Sequence, residues 1–373
     1  MSTTTLNECF HEYLKNIAVT KEVADLLEDA RKKVKSALTK GIREQTEKQG
    51  ERVIPRFMRQ GSAGYGTQNM PYNPPKQQVD FDYGCYLPLS YLEDGSMPRQ
   101  AASDFFDMVD SILKPLVKEN GWKSAEKGKK SYCITLNDEI HFDVPLYSAP
   151  PDKFKEIHDQ SAAFESVGFS RSDEEEVEET WEDLPTESIM LAYRDEDGVY
   201  RWRASDPRLL NMYFMNKTNS DRAIYRILKG WRDFLWVEEK GPSSIFLMSL
   251  AEKVNGKRPF LNDIETELQK VLVGIEKLNL PLNEDNCGEV CVENPADPSD
   301  TIKCSKEDFN RLKLSASGFR GAIQMNNWSS LPEVCMVLRM SHLGNHDDGN
   351  RFPDVKDSYT PNFRQPPRTT RAG

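Results

Sequence analysis

Two short stretches of this chain alternate apolar and polar residues with a period of two: Val79-Asp80-Phe81-Asp82-Tyr83 and Ile140-His141-Phe142-Asp143-Val144. On a strand, successive side chains take opposite faces. Asp80 and Asp82 therefore share one face, opposite Val79, Phe81 and Tyr83. In the second stretch Glu139, His141 and Asp143 share a face opposite Ile140, Phe142 and Val144. Such strands require a sheet with a packed apolar layer on one side and an acidic surface on the other. If the two are neighbours, three carboxylates converge and need a cation. Mg²⁺ takes hard oxygen ligands and bridges to phosphates. Two such ions about 4 Å apart activate an attacking hydroxyl and stabilise a leaving pyrophosphate. A lone Asp-x-Asp is common without metal. The third carboxylate and the upstream Gln60-Gly61-Ser62 turn make the combination more specific. Gly61 lets backbone approach a phosphate with no Cβ in the way. Ser62 offers a hydroxyl beside the N–H groups of a helix start. The set points to nucleotidyl transfer.

The chain has 373 residues, enough for two lobes or one large domain with insertions. Its net charge is −11, which argues against a basic nucleic-acid footprint and against a DNA activator. Lys127, Lys129 and Lys130 read as a solvated loop. The start MSTTTLNECF shows no signal peptide, and no run of about 18 apolar residues predicts a membrane span. Seven scattered cysteines suit reduced, cytoplasmic thiols. Cys287, Cys291 and Cys304 are close enough to raise zinc, with His342 and His346 as more distant partners. No fourth ligand sits at finger spacing, so plain thiols are the simpler reading.

Periodicity predicts a helix over 20–45 capped by Thr20, either a spine between lobes or a surface helix. Residues 53–90 read as strand, turn, helix start, loop and strand, and 102–117 as a helix. Residues 131–147 read as a β-hairpin turning near Asn137-Asp138. The segment 172–183 carries eight acidic residues and reads as a solvated loop or insertion. Helices are expected over 221–236, 243–254, 262–278, 305–327 and 330–343, with a loop over 281–303. The expected divisions are N-terminal helices with the spine at 1–50, a catalytic core at 51–205, a helical lobe at 206–344 and a disordered tail at 345–373.

A second constellation lies in Lys229-Gly230-Trp231-Arg232-Asp233 and Gly241-Pro242-Ser243-Ser244. Lys229 and Arg232 share a helix face. Ser243-Ser244 reads as a cap leading into a helix. A lysine plus a helix start can grip a triphosphate, although a surface lysine and an ordinary cap explain the pattern equally well. Tyr65 could stack on a base, but an aromatic in a loop more often packs. His141 reads as a hydrogen-bonded neighbour of Asp143.

The blocks PRFMRQGSAGYGTQN, VDFDYGCYLPL, HFDVPLYSAP, WRASDPRLL, LKGWRDFLW and GPSSIFLM occur in the order and approximate spacing of the bacterial cGAS/DncV-like nucleotidyltransferases. The resemblance covers roughly residues 50–340 and is closest to DncV-type dinucleotide cyclases. It implies an α+β fold: a polymerase-β-like nucleotidyltransferase core with a mixed sheet, plus a helical lobe joined by the N-terminal spine helix. It implies a cyclic oligonucleotide second messenger made in antiphage (CBASS) signalling, with ATP and GTP giving 3′,3′-cyclic GMP-AMP as the inherited expectation. Asp80, Asp82 and Asp143 would hold two Mg²⁺ ions, with Mn²⁺ as a substitute. Asp143 would also help deprotonate the attacking hydroxyl. Gln60, Gly61 and Ser62 would lie at the donor phosphates, Lys229, Ser243 and Ser244 at the triphosphate, and Tyr65 at a base. The strand around SYCITL departs from the family pattern. The segment Glu293-Asn294-Pro295-Ala296-Asp297 is a candidate base contact.

The family also implies a downstream effector for the product. It further implies conjugation of the C-terminal Gly373 by an E1/E2-like accessory protein; a plain terminus is the alternative. Two readings compete with cyclisation. One is a template-independent transferase making linear or attached products. The other is an inactive nucleotide-binding signalling module, against which the intact aspartate set argues.

Overall fold

The computed structural model describes residues 6–50, 52–88, 98–124, 130–149, 189–205, 207–283 and 287–324. The acidic segment 172–183, the helix expected over 330–343, Lys127, Lys129, Cys335, His342, His346 and the tail with Gly373 lie outside the described residues.

The chain opens with α1 (Leu6–Asn16) and α2 (Lys21–Glu47). Thr20 caps α2, its hydroxyl accepting from the Val23 N–H at 3.3 Å. Next come β1 (Arg56–Gln60), the short α3 (Gly61–Tyr65), β2 (Val79–Pro88) and α4 (Pro98–Glu119). The strands β3 (Lys123–Ser124), β4 (Tyr132–Asn137), β5 (Ile140–Val144), β6 (Leu146–Ala149), β7 (Met190–Arg194) and β8 (Tyr200–Ala204) follow. The remainder is α5 (Pro207–Met215), α6 (Asn219–Leu235), α7 (Ser244–Asn255), α8 (Ile264–Lys277), β9 (Glu289–Glu293), β10 (Thr301–Ser305) and α9 (Lys306–Gln324).

The sheet runs β3-β4-β5-β2-β6-β7-β8, with β1 also paired to β2. It is mixed. β2 lies parallel to β5 and β6 and antiparallel to β1. The register is the one that the two alternating stretches require: Val79 opposes Ile140, Asp80 His141, Phe81 Phe142 and Asp82 Asp143. Because the pairing is in phase, one face is wholly apolar. Phe81 stacks on Phe142 at 5.1 Å and Phe57 on Tyr83 at 5.3 Å. That face packs with Leu27, Val34 and Leu38 of α2 and Phe105, Val109 and Leu113 of α4 in one core. Each such fully buried side chain contributes roughly 1.5–3 kcal/mol of transfer free energy. The acidic face is left outward.

A second core is helical, built on Ile224, Leu228, Phe246, Leu250, Leu268 and Leu272. α1 joins it through Phe10, Tyr13, Leu14 and Ile17, whereas the stripe of α2 belongs to the sheet core. Successive helices thus serve different cores, with the turn near Ile17–Thr20 between them. A buried polar knot braces the helical core: the hydroxyls of Tyr213 and Tyr225 donate to Glu252, and the Lys217 ammonium meets it at 2.6 Å.

Residues 281–303 correct the expectation of a loop. Glu289–Glu293 and Thr301–Ser305 pair as an antiparallel ribbon. Its prolines, Pro295 and Pro298, fall in the connecting turn, where no ladder N–H is needed.

Candidate active site

The register of β2 and β5 carries the site. Asp82 and Asp143 are direct partners across the two strands, and Asp80 sits beside His141. Their side chains therefore rise from one face. The Asp80 carboxylate is two-thirds exposed, that of Asp143 about one-fifth. The His141 Nδ1 lies 3.8 Å from an oxygen of each, at ion-pair rather than hydrogen-bond distance. Asp80 and, next, Cys133 push the imidazole pKa up to about 10, favouring the cation. Glu139 falls in the hairpin turn instead of the strand, and its carbonyl accepts from the Val79 N–H at 2.7 Å.

Asp82 is a strongly perturbed carboxylate. Burial, then Asp143, then Asp80 push its pKa up to about 7. The Asp143 Oδ1 is buried and has no hydrogen-bond partner. A buried acceptor left unmatched is costly. Three carboxylates rising from one face, one with an unmatched lone pair, offer the hard oxygens that Mg²⁺ takes, although their donor atoms are not gathered within 4.8 Å of one another in this arrangement.

Gly61 shows how tightly the turn is fitted to the cluster. Its φ is +59°, and a Cβ there would come within 2.2 Å of Asp82 Oδ2. Ser62 lines the cleft, and its hydroxyl reaches toward the Asp80 carbonyl at 3.4 Å. Gln60 is different. Its amide donates to the Tyr86 hydroxyl at 2.8 Å and its carbonyl accepts from Tyr147 at 3.1 Å. Both ends of the side chain are committed to tyrosines of β2 and β6, so only its backbone is free to face a phosphate. Tyr65 corrects the base-stacking expectation. It is 9% exposed and its ring packs on Phe214 at 5.3 Å, inside the helical core.

A cleft of about 730 Å³ opens between the two cores. One wall carries Ser62, Gln68, Gln78 and Asp80; the other carries Lys229, Arg232, Ser243 and Ser244. This volume suits a ligand of nucleotide size. The Lys229 ammonium is almost wholly buried and donates to the Thr67 carbonyl at 2.6 Å, so it crosses between the walls. Burial, then Arg232, lower its pKa to about 8. Ser243 caps α7, accepting from the Phe246 N–H at 3.2 Å. Ser244 Oγ accepts from Arg232 at 2.9 Å, and the same guanidinium grips Asp233 and the Pro242 carbonyl. Arg232 therefore fixes the helix start in place, a role that its spacing from Lys229 did not reveal.

Other parts of the site escaped sequence reasoning. Gln68 Nε2 donates to the Asp80 carbonyl at 3.1 Å and steadies the strand at the carboxylates. Asn69 donates to the Arg226 carbonyl and accepts from its guanidinium, joining the lobes beside the cleft. Nothing in the spacing of these loop residues marks them. Cys133 opposes Asp143 across β4 and β5, a placement readable only once the hairpin register is known. The candidate base-contacting segment 293–297 does not line this cleft. Asn294 is bonded internally to Asp300 and the Ala296 N–H. Cys291 and Cys304 cannot share a metal ion. Their strand partners are Lys303 and Val290 respectively, one step out of phase, so they face opposite sides of the ribbon.

Comparisons with known proteins agree with this geometry. Residues 55–147 match the nucleotidyltransferase domain of the cyclic GMP-AMP synthase DncV-like family. A cyclic GMP-AMP synthase from Vibrio cholerae (serotype O1, El Tor Inaba) is 36% identical over 212 residues, 53% of this chain and 46% of that protein. One from Escherichia coli strain TW11681 is 34% identical over 209 residues, 52% and 46% respectively. The chain thus spans about half the length of the curated relatives it matches. The crystal structure of Vibrio cholerae DncV with the linear intermediate 5′ pppA(3′,5′)pG superposes with a TM-score of 0.65 at 22% identity, covering 92% of this chain and 96% of that one. A mutant of that cyclase in complex with ATP, GTP and 5MTHFGLU2 gives 0.66 at 21%, with the same coverages. At these identities the two structures establish a shared fold.

Proposed function

We propose, for a chain whose residues 55–147 match a DncV-like nucleotidyltransferase domain, a cyclic oligonucleotide synthase acting on ATP and GTP. The reaction is two successive nucleotidyl transfers with release of pyrophosphate, giving cyclic GMP-AMP with 3′–5′ links. The observation that carries this reading is the in-phase pairing of Asp82 with Asp143, which puts Asp80, Asp82 and Asp143 on one face of the sheet, with Asp80 on the wall of the interlobe cleft. The curated relatives at 34–36% identity are cyclic GMP-AMP synthases, and the fold is that of DncV.

Asp80, Asp82 and Asp143 hold Mg²⁺, which when bound supplies charge neutralisation and Lewis-acid polarisation at the reacting phosphate. Asp143 helps to deprotonate the attacking ribose hydroxyl. The Gly61-Ser62 turn lets the donor phosphates approach the carboxylates without a side chain between them. Lys229 and the capped start of α7, with Ser243 and Ser244, hold the triphosphate from the opposite wall. Positioning between two walls supplies much of the rate enhancement in such transfers. The division into N-terminal helices, core, helical lobe and tail belongs to this proposal, as do the antiphage setting, an effector for the product and conjugation through Gly373.

Product analysis by mass spectrometry tests it. Wild type with Mg²⁺ and all four NTPs should form a cyclic product that an Asp80→Asn/Asp82→Asn variant does not. Linear or attached products would replace the reading with that of a template-independent transferase.

A further inference from the structure

Beside the hard-oxygen cluster lies a softer one. Cys133 and Asp143 are partners across the antiparallel pair β4–β5, so their side chains share a face. His141, two residues before Asp143 on the same strand, shares that face as well. Donor atoms of Cys133, His141 and Asp143 all lie within 4.8 Å of one another, and all three residues are half-buried. No other group of three such residues has this closeness among the described residues. The Cys133 thiol also lies 3.2 Å from the Ser131 hydroxyl and 3.6 Å from its carbonyl.

Sulfur, imidazole and one carboxylate are the donor set of a tetrahedral Zn²⁺ site. Metal–ligand bonds of about 2.0–2.3 Å place such donors roughly 3.5 Å apart, so these need to close by about 1 Å. Side-chain rotation of half-exposed residues on a rigid strand pair supplies that. Mg²⁺ has little affinity for sulfur and would stay with the all-oxygen set. A fourth position falls to water or to Asp80, whose carboxylate stands 3.8 Å from His141. Binding releases the thiol proton and whatever proton the imidazole carries.

We propose that Cys133, His141 and Asp143 form an inhibitory site for a thiophilic divalent cation, Zn²⁺ by chemistry. Asp143 belongs to both clusters. An ion held by sulfur and imidazole withdraws Asp143 from the carboxylate set and so competes with Mg²⁺. The inhibition, though not the metal site itself, rests on the catalytic reading of Asp143.

Co²⁺ is the probe, used on the full chain without reducing agent carry-over. Wild type should bind one equivalent with a near-ultraviolet thiolate-to-cobalt band and the intense visible bands of tetrahedral cobalt. Cys133→Ser and His141→Gln should lose the thiolate band while keeping the wild-type Tm within a few degrees. No band in wild type, or the same band in Cys133→Ser, overturns the site. In the second arm, Zn²⁺ is titrated into the Mg²⁺-dependent reaction. Cys133→Ser should raise the half-inhibitory Zn²⁺ concentration at least tenfold, each protein being scored against its own zinc-free rate. Equal inhibition of both proteins overturns the competition. If wild type makes no nucleotide product at all, the functional reading fails, and the cobalt spectrum still decides the metal site.

Discussion

Asp82 shows what the site costs the fold. Its carboxyl titrates near 7, against about 3.9 in an unfolded chain. Between those values the native state binds more protons than the unfolded state, so stability falls as pH rises from about 4 to 7. His141, held up to about 10, acts in the same direction above its usual 6.5, while Lys229, lowered to about 8, opposes it. Metal-free protein should therefore lose stability between pH 5 and 7.5, on the order of 2–4 kcal/mol from Asp82 alone. Thermal unfolding in a chelator should show a fall of several degrees, and Mg²⁺ should reverse it more at pH 7.5 than at pH 5. Asp82→Asn should flatten that slope, raise the metal-free Tm and abolish product, since it removes charge repulsion and a ligand together. Gly61→Ala brings a Cβ to 2.2 Å from Asp82 Oδ2 at a φ of +59°. We expect it to cost about 1–3 kcal/mol and more than a hundredfold in turnover, read by Tm and initial rates.

At the scale of elements, β2, β4 and β5 were legible, whereas β7, β8 and the β9–β10 ribbon were not. The alternation in β2 and β5 specified strand type, buried face and acidic face, because a one-residue slip would have turned every Phe outward. The spine helix was legible from its stripe and its Thr20 cap. Tyr65 was not, because its neighbour Phe214 is distant in sequence and only the tertiary fold brings that partner to it. Gln60 was misjudged for the same reason: the tyrosines that occupy it belong to two other strands. The β9–β10 ribbon was hidden by prolines that belong to its turn. The start of α7 offers a test at this scale. Ser243→Ala removes its cap and should lower stability by about 1 kcal/mol. If the helix start also grips phosphate, the same change should raise KM for NTP with a smaller effect on kcat.

At the scale of the molecule, the cleft exists because two cores face each other across a few polar ties: Lys229 to Thr67, Asn69 to Arg226, and Gln77 to the Asp233 carbonyl at 2.8 Å. A nucleotide that touches both walls binds only the native arrangement. With Mg²⁺ at 100 times its Kd it should stabilise the protein by about 2.7 kcal/mol, and the Asp80→Asn/Asp82→Asn variant should show much less in the same thermal-shift measurement. Asn69→Ala should weaken this coupling between lobes while leaving the carboxylates in place, so KM should rise more than kcat falls.

The separate allegiance of the first two helices has a consequence for synthesis. Asn7 bonds Asp263 at 3.0 Å across 256 residues, and Arg226 donates to the Leu14 carbonyl across 212. A ribosome releases α1 well before its packing partners. α2 can dock as soon as α4 and the sheet emerge, while α1 waits with Phe10, Tyr13 and Ile17 unburied. The nascent chain thus carries a sticky end through most of translation, the exposure that makes such intermediates prone to aggregate and chaperone-dependent.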